Sequence, residues 1–164
     1  MPKSLAELKV KLRRRERGMP LPGFDHKGEL PAGVHRATMD EVVAHFGSGT
    51  PQRQAVTARL LRVYHLAKAT GKLECLIIFG SYITTEPEPN DVDIVLIMRD
   101  DFRIGACAEE AQKLFDHLQA TEEFGASIFW VRPSMLFLET LDDFINHWQI
   151  KRDQTRRGIV EVRP

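Results

Sequence analysis

Cys75-Leu76-Ile77-Ile78-Phe79-Gly80-Ser81, then nine residues from Tyr82 to Asn90, then Asp91-Val92-Asp93-Ile94-Val95-Leu96-Ile97-Met98, is the stretch on which the reading turns. Two continuous apolar runs of strand length flank a polar turn, the pattern of central strands buried on both faces. Side chains two apart on a strand project to the same face, so Asp91 and Asp93 are expected to converge while Val92 and Ile94 enter the core. Carboxylates about 4 Å apart repel by roughly 4 kcal/mol at an effective dielectric near 20, which calls for a compensating cation. Magnesium, with manganese as a substitute, is the expected cofactor, because it favours hard oxygen ligands and is held by one or two carboxylates together with substrate phosphates. Gly80 and Ser81 leave the first strand where a phosphate needs close access to the backbone and a hydroxyl donor. The nine-residue connection is long enough to bring both strand ends to one crevice, where ligands of α/β sheets bind.

Working outward, Thr50 and Pro51 supply the cap and first residue of a helix in which Val56, Leu60, Val63 and Ala67 recur at helical spacing until Gly71. Thr38 and Glu41 form a capping box for a shorter helix carrying Val42, Val43 and Phe46 and ended by Gly47. Met19 to Ala37 is rich in proline and glycine and reads as an extended irregular arm; before it, Ser4 and Glu7 cap an expected helix over about 5–17 that ends in Arg13, Arg14, Arg15 and Arg17. On the other side, Cys107, Ala111, Leu114, Phe115 and Leu118 mark an amphipathic helix over 106–120, and Ser127-Ile128-Phe129-Trp130-Val131 reads as a third strand. Thr140 opens a last helix through Leu141, Phe144, Ile145 and Trp148, and Gly158 to Val162 reads as an edge strand. The expectation is an α/β (α+β) protein with a mixed sheet flanked by helices, divided into an N-terminal basic helix and arm (1–49) and a main domain (50–164).

At 164 residues, 43% hydrophobic and 28% charged, the chain falls in the range of a folded single domain. It shows no apolar run long enough to span a bilayer and no secretory leader, so a cytoplasmic protein without membrane contact is expected. Cys75 and Cys107 form no CxxC pair, and the six histidines show no metal-ligand spacing. Ser81 lacks the GxSxG setting of a serine hydrolase. Net charge is zero but uneven: residues 1–17 hold seven Lys/Arg against two Glu, and residues 149–164 hold five against two acids, leaving an acidic interior. Basic ends leave open a nucleic-acid-binding reading, whose mark is a steep salt dependence.

The pattern Phe79-Gly80-Ser81, spacer, Asp91-Val92-Asp93-Ile94 resembles the signature of the DNA-polymerase-β-like nucleotidyltransferase superfamily, and the order of elements over about 50–153 is similar to that fold. The stretch Leu30-Pro31-Ala32-Gly33-Val34-His35 resembles the start of a bacterial group of nucleotidyltransferase-like proteins. The resemblance implies that Gly80 and Ser81 hold the β- and γ-phosphates of a nucleoside triphosphate and that Asp91 and Asp93 bind one or two magnesium ions. An acceptor hydroxyl would then attack the α-phosphate and expel pyrophosphate. Minimal members of the superfamily act in bacterial two-component modules, toxin–antitoxin pairs among them, which makes a protein partner or an RNA acceptor plausible by analogy.

The superfamily usually carries a third acid on the next strand, and here Ser127 stands in that place. Serine is a weak magnesium ligand and a poor base, so two readings stay open: nucleotide transfer, or a nucleotidyltransferase-like binding protein with impaired catalysis. Glu161 is a candidate replacement for the missing acid and, alternatively, a solvent-facing glutamate of an edge strand; Glu86 and Glu88 in the turn are further candidates.

Overall fold

The computed structural model describes residues 21–164; the expected helix over 5–17 and its arginine cluster lie outside the described residues. The elements in order are β1 (Val34–Ala37), α1 (Met39–Phe46), α2 (Pro51–Ala69), β2 (Leu73–Phe79), β3 (Asp93–Met98), α3 (Glu109–Gln112), α4 (His117–Phe124), β4 (Ser127–Val131), α5 (Leu141–His147) and β5 (Ile159–Val162). They build one mixed sheet of five strands, in the order β1-β5-β2-β3-β4, flanked by helices. β2 and β3 are antiparallel neighbours, with Phe79 opposite Asp93 and Ile77 opposite Val95. β3 and β4 run parallel, with Asp93 opposite Ser127.

Local chemistry sets the helix ends. Thr38 accepts the backbone N–H of Glu41 at 3.1 Å, and the Glu41 carboxylate accepts that of Thr38 at 3.0 Å, completing a capping box for α1. Thr50 caps α2 with Pro51 in its first turn. The helix expected over 106–120 is broken instead. Asp116 adopts extended backbone and its carboxylate caps Gln119, so one short helix ends and α4 begins afresh.

The sheet separates two cores. Leu76, Ile78, Ile94, Leu96, Val160 and Val162 face α1, α2 and α4, and the buried stripe Val56, Leu60, Val63 and Ala67 of α2 packs on them. Cys75, Ile77, Val95, Ile97, Val131 and Ile159 face α5, whose Ile145 closes a smaller cluster with Phe144 and Trp148. Burial of this area from water supplies the main drive to fold.

Two features differ from the expectation, and both concern long-range pairing. The arm is not irregular throughout: Val34–Ala37 forms β1, which pairs in parallel with β5. β5 is not an edge strand, since it lies between β1 and β2. Leu30, Ala37, Met39, Val42 and Phe46 join the same core as α2, so the sheet and its core continue across the expected boundary at 49/50. Among the described residues no helix is long and apolar enough to cross a membrane.

Candidate functional site: a cleft between an acidic strand end and a basic hairpin

β2 ends at Phe79 and the chain turns at Gly80, with φ of 84° and ψ of −166°, a conformation that side-chain-bearing residues avoid. The Asp93 carboxylate lies directly over the Gly80 α-carbon, in space that any Cβ at 80 would need. Glycine is therefore required twice over, by backbone angle and by close approach. Ser81 opens a single 3-10 turn that buries Tyr82 and Ile83, and it lines the cleft beside Phe79, Gly80 and Asp93.

The spacer from Thr84 to Asn90 is held down by the first turns of α2. Arg53, only 6% exposed, donates to the carbonyls of Phe46, Tyr82, Thr84 and Glu86 and has no carboxylate partner among the described residues. Burial lowers its pKa, with Tyr82 and Glu86 opposing the shift. Thr50 donates to the carbonyl of Pro87 at 2.5 Å and Gln52 to that of Pro89 at 2.9 Å. The Thr57 and Tyr82 hydroxyls meet at 2.8 Å. Hydrogen bonds from a buried cation to neutral carbonyls are strong because little water competes for either partner.

Asp91 precedes β3 and Asp93 begins it, with Val92 and Ile94 fully buried between and after them. Among the described residues neither carboxylate accepts a hydrogen bond or joins an ion pair. The pKa of Asp93 is pushed up to about 6, first by burial and next by the charge of Asp91, while Arg157 and Arg152 oppose the rise. A half-buried carboxylate beside another, with no proton donor satisfying it, is chemically suited to a hard divalent cation.

The opposite wall is a hairpin from Gln149 to Gly158. Ile150 bridges Arg156, the N–H of Lys151 reaches the carbonyl of Thr155 at 2.8 Å, and Gln154 takes positive φ at the turn. Asp153 is engaged inside the hairpin by the Thr155 hydroxyl and N–H. Lys151 is tied to Glu29 at 2.6 Å. Arg152 and Arg157 have no ion-pair partner among the described residues, and both line the cleft. With His147 and Trp148 they close an open cavity of about 850 Å³ against Phe79, Gly80, Ser81 and Asp93.

The arm anchors this hairpin. Gly33 donates to the buried Gln149 side chain at 2.7 Å, Gly158 donates to the carbonyl of Leu30 at 2.9 Å, and the His35 ring meets the carbonyl of Pro31 at 2.7 Å. Leu30 is 1% exposed and secures the arm in the core. The Leu30-to-His35 stretch therefore places the root of the basic hairpin through backbone and ring contacts.

The structure brings Gly80, Ser81, Asp93 and Ser127 to one end of the sheet, with Asp91 close enough to raise the Asp93 pKa. Ser127 is the register partner of Asp93, one strand away on the same face. Glu161 does not join them. It lies opposite Ile77 on β5, two strand spacings, about 10 Å, from β3. Its carboxylate is taken by Arg36 at 3.2 Å and Arg163 at 3.0 Å and is 5% exposed, so the solvent-facing edge placement does not hold either. Glu86 and Glu88 are exposed on the spacer. No cluster of three or more His, Cys, Asp or Glu residues suited to a metal is present among the described residues. Lys151, Arg152, Arg157 and Arg53 were not among the sequence candidates. The excess of basic residues in 149–164 pointed to the first three, and Arg53 falls three residues before Val56 on the buried stripe of α2.

Fold and cleft together define a small mixed α+β protein whose neighbouring aspartates and the arginines Arg152 and Arg157 line one cleft at a glycine-serine turn. The chain belongs to the family of unknown function DUF6932, whose profile matches residues 22–163 and so includes the arm, the acidic wall and the hairpin. No curated protein and no solved structure matches the chain.

Proposed function

We propose that this cleft binds a nucleoside triphosphate with magnesium and transfers its nucleoside monophosphate to a hydroxyl acceptor. The observation that carries the reading is the placement of the Asp93 carboxylate against Gly80 and beside Asp91, in a cleft lined by Ser81, Arg152 and Arg157. Asp91 and Asp93 would hold the magnesium, which when bound supplies charge neutralisation to the phosphates. Gly80 lets the Asp93 carboxylate close on the turn, and Ser81 offers its hydroxyl. Arg152 and Arg157 sit where they can neutralise the β- and γ-phosphates and the charge of the departing pyrophosphate. Arg53 keeps the turn and spacer in place, so the groups that meet the ligand are ordered before it arrives.

Ser127 beside Asp93 motivates a second reading, a nucleotide-binding protein without efficient transfer, because the position adjoining the carboxylate pair is neutral. One experiment separates the two. The purified chain is incubated with α-labelled nucleoside triphosphates, magnesium or manganese, and cell extract. Label on a macromolecule that disappears with Asp93→Ala supports transfer; saturable nucleotide binding with no label transferred supports the second reading. Absence of both metal-dependent binding and transfer would remove the nucleotide site altogether.

A further inference from the structure

We infer that the cleft binds a divalent cation and a polyphosphate far better together than apart, because each half of its own charge repels one of the two. The inference rests on the nucleotide reading for the identity of the ligands and adds how the site couples them. Asp93, with Asp91 close behind it, forms one wall of an open cavity of about 850 Å³, and Arg152 and Arg157 stand on the other. The two guanidinium groups are near enough for their charge to act on the Asp93 carboxylate, yet among the described residues neither arginine forms an ion pair. The other charged groups of the hairpin that line the cavity are engaged elsewhere: Lys151 pairs with Glu29 at 2.6 Å, and Asp153 accepts the Thr155 hydroxyl and N–H. What remains is two carboxylates and two guanidinium groups that balance across a gap rather than in contact.

Opposite charges at such a standoff cancel much of the field that either ligand alone would feel. A divalent cation moving to Asp91 and Asp93 meets the two arginines as like charges, and a polyphosphate moving to the arginines meets the two aspartates. When both arrive, each screens the charge that opposed the other, so the site gains from the pair what it denies to the single ligands. Asp93 contributes most to this coupling, because a half-buried charge is poorly screened by salt and water. Had the arginines closed on the aspartates as ion pairs, both ligands would first have to break them. Had acids of their own held Arg152 and Arg157, as Glu29 holds Lys151, an incoming cation would scarcely feel them. The arginines therefore serve twice: as counter-charge to the unloaded acidic wall, and as phosphate seats once the cation has taken that counter-charge over.

The test uses the full chain at pH 7.5 and three probes: manganese alone, followed by the electron paramagnetic resonance of the free ion; inorganic tripolyphosphate alone, with a chelator present; and the preformed manganese–tripolyphosphate complex, by equilibrium dialysis. The complex should bind about ten-fold or more tighter than either component, within the usual range of coupling between sites. Arg152→Ala with Arg157→Ala should tighten manganese alone by about three-fold, as like charges are removed, and weaken the complex by about ten-fold. Asp91→Asn should do the converse, tightening tripolyphosphate alone and weakening the complex. Opposite signs from one variant separate charge coupling from structural damage, which weakens every probe. Arg152→Lys with Arg157→Lys keeps the charge and should return manganese alone to the wild-type affinity. Manganese binding unchanged or weakened in the alanine double variant, or a complex bound no better than its components, overturns the inference; labelled nucleotide still transferred in that case leaves the nucleotide reading standing. Coupling with these signs but without transfer upholds the inference and favours the reading as a binding protein. Failure of all three probes to bind removes both.

Discussion

The two walls of the cleft are built in opposite ways. The acidic wall is a strand end whose turn and spacer are pinned from beneath by a buried guanidinium and the first residues of α2, all within about forty residues of chain. The basic wall is a surface hairpin whose root is held by an arm more than a hundred residues earlier, through Gln149, Gly158 and Lys151. One wall is preorganised by burial; the other depends on a few contacts between distant segments. Stability should therefore be concentrated beneath the aspartates, while the hairpin should be the first part of the site to open.

Arg53 is where this comparison is most easily broken. Arg53→Met keeps the stem but strips four carbonyls of their donor, two of the four bonds being buried. Loss of about 3–5 kcal/mol is expected, from the usual cost of leaving buried acceptors unpaired. Chemical denaturation measures it, and Arg53→Lys should recover only part because an ammonium cannot span the same fork. A loss below 1 kcal/mol would mean that the spacer is not fixed by this residue.

The basic wall should yield to smaller changes with a different signature. A Cβ at Gly158 would collide with the carbonyl of Pro31 and the Leu30 side chain, so Gly158→Ala is expected to cost about 1–3 kcal/mol, as for overpacking elsewhere. Gln149→Leu leaves the N–H of Gly33 without its acceptor, at about 1–2 kcal/mol. Hydrogen exchange should show both losing protection in 149–158 and 30–35 before the β2–β3 pair. Uniform loss across the sheet would show that the two walls unfold as one unit.

The same contrast explains what the sequence disclosed. Thr38 with Glu41 and Thr50 with Pro51 announce helix starts because caps act over three residues. The Gly80-Ser81 turn and the two aspartates were legible because strand alternation and a single connection place them. β5 was legible as a strand but its interior position was not, since a four-residue strand carrying Glu161 looks like an edge until Arg36 and Arg163 are seen to enclose that carboxylate. Arg53 was hidden by its type: position alone put it on the buried face of α2, but an arginine is ordinarily solvated. The hairpin arginines were visible as charge, whereas their place opposite Asp93 depends on β1 pairing with β5 across the length of the chain.

The last expected effect concerns the charge on the acidic wall. The Asp93 pKa stands at about 6 in the folded chain against an ordinary value of 3.8 for the free side chain. Between these two values the folded state holds the proton more tightly than the unfolded state. The resulting stabilisation is complete below 3.8 and is lost as pH rises through 6. Asp93→Asn should accordingly raise the stability of the metal-free protein at pH 7.5, with the difference from wild type shrinking as pH falls toward 4. Taking the difference matters, because Asp100, Asp101 and Glu123 have lowered pKa values and lose stability at low pH in both proteins. Magnesium should stabilise the wild type more at pH 7.5 than at pH 5 and leave Asp93→Asn nearly unmoved. Equal magnesium effects in the two proteins would place the cation elsewhere and detach the acidic wall from the role proposed for it.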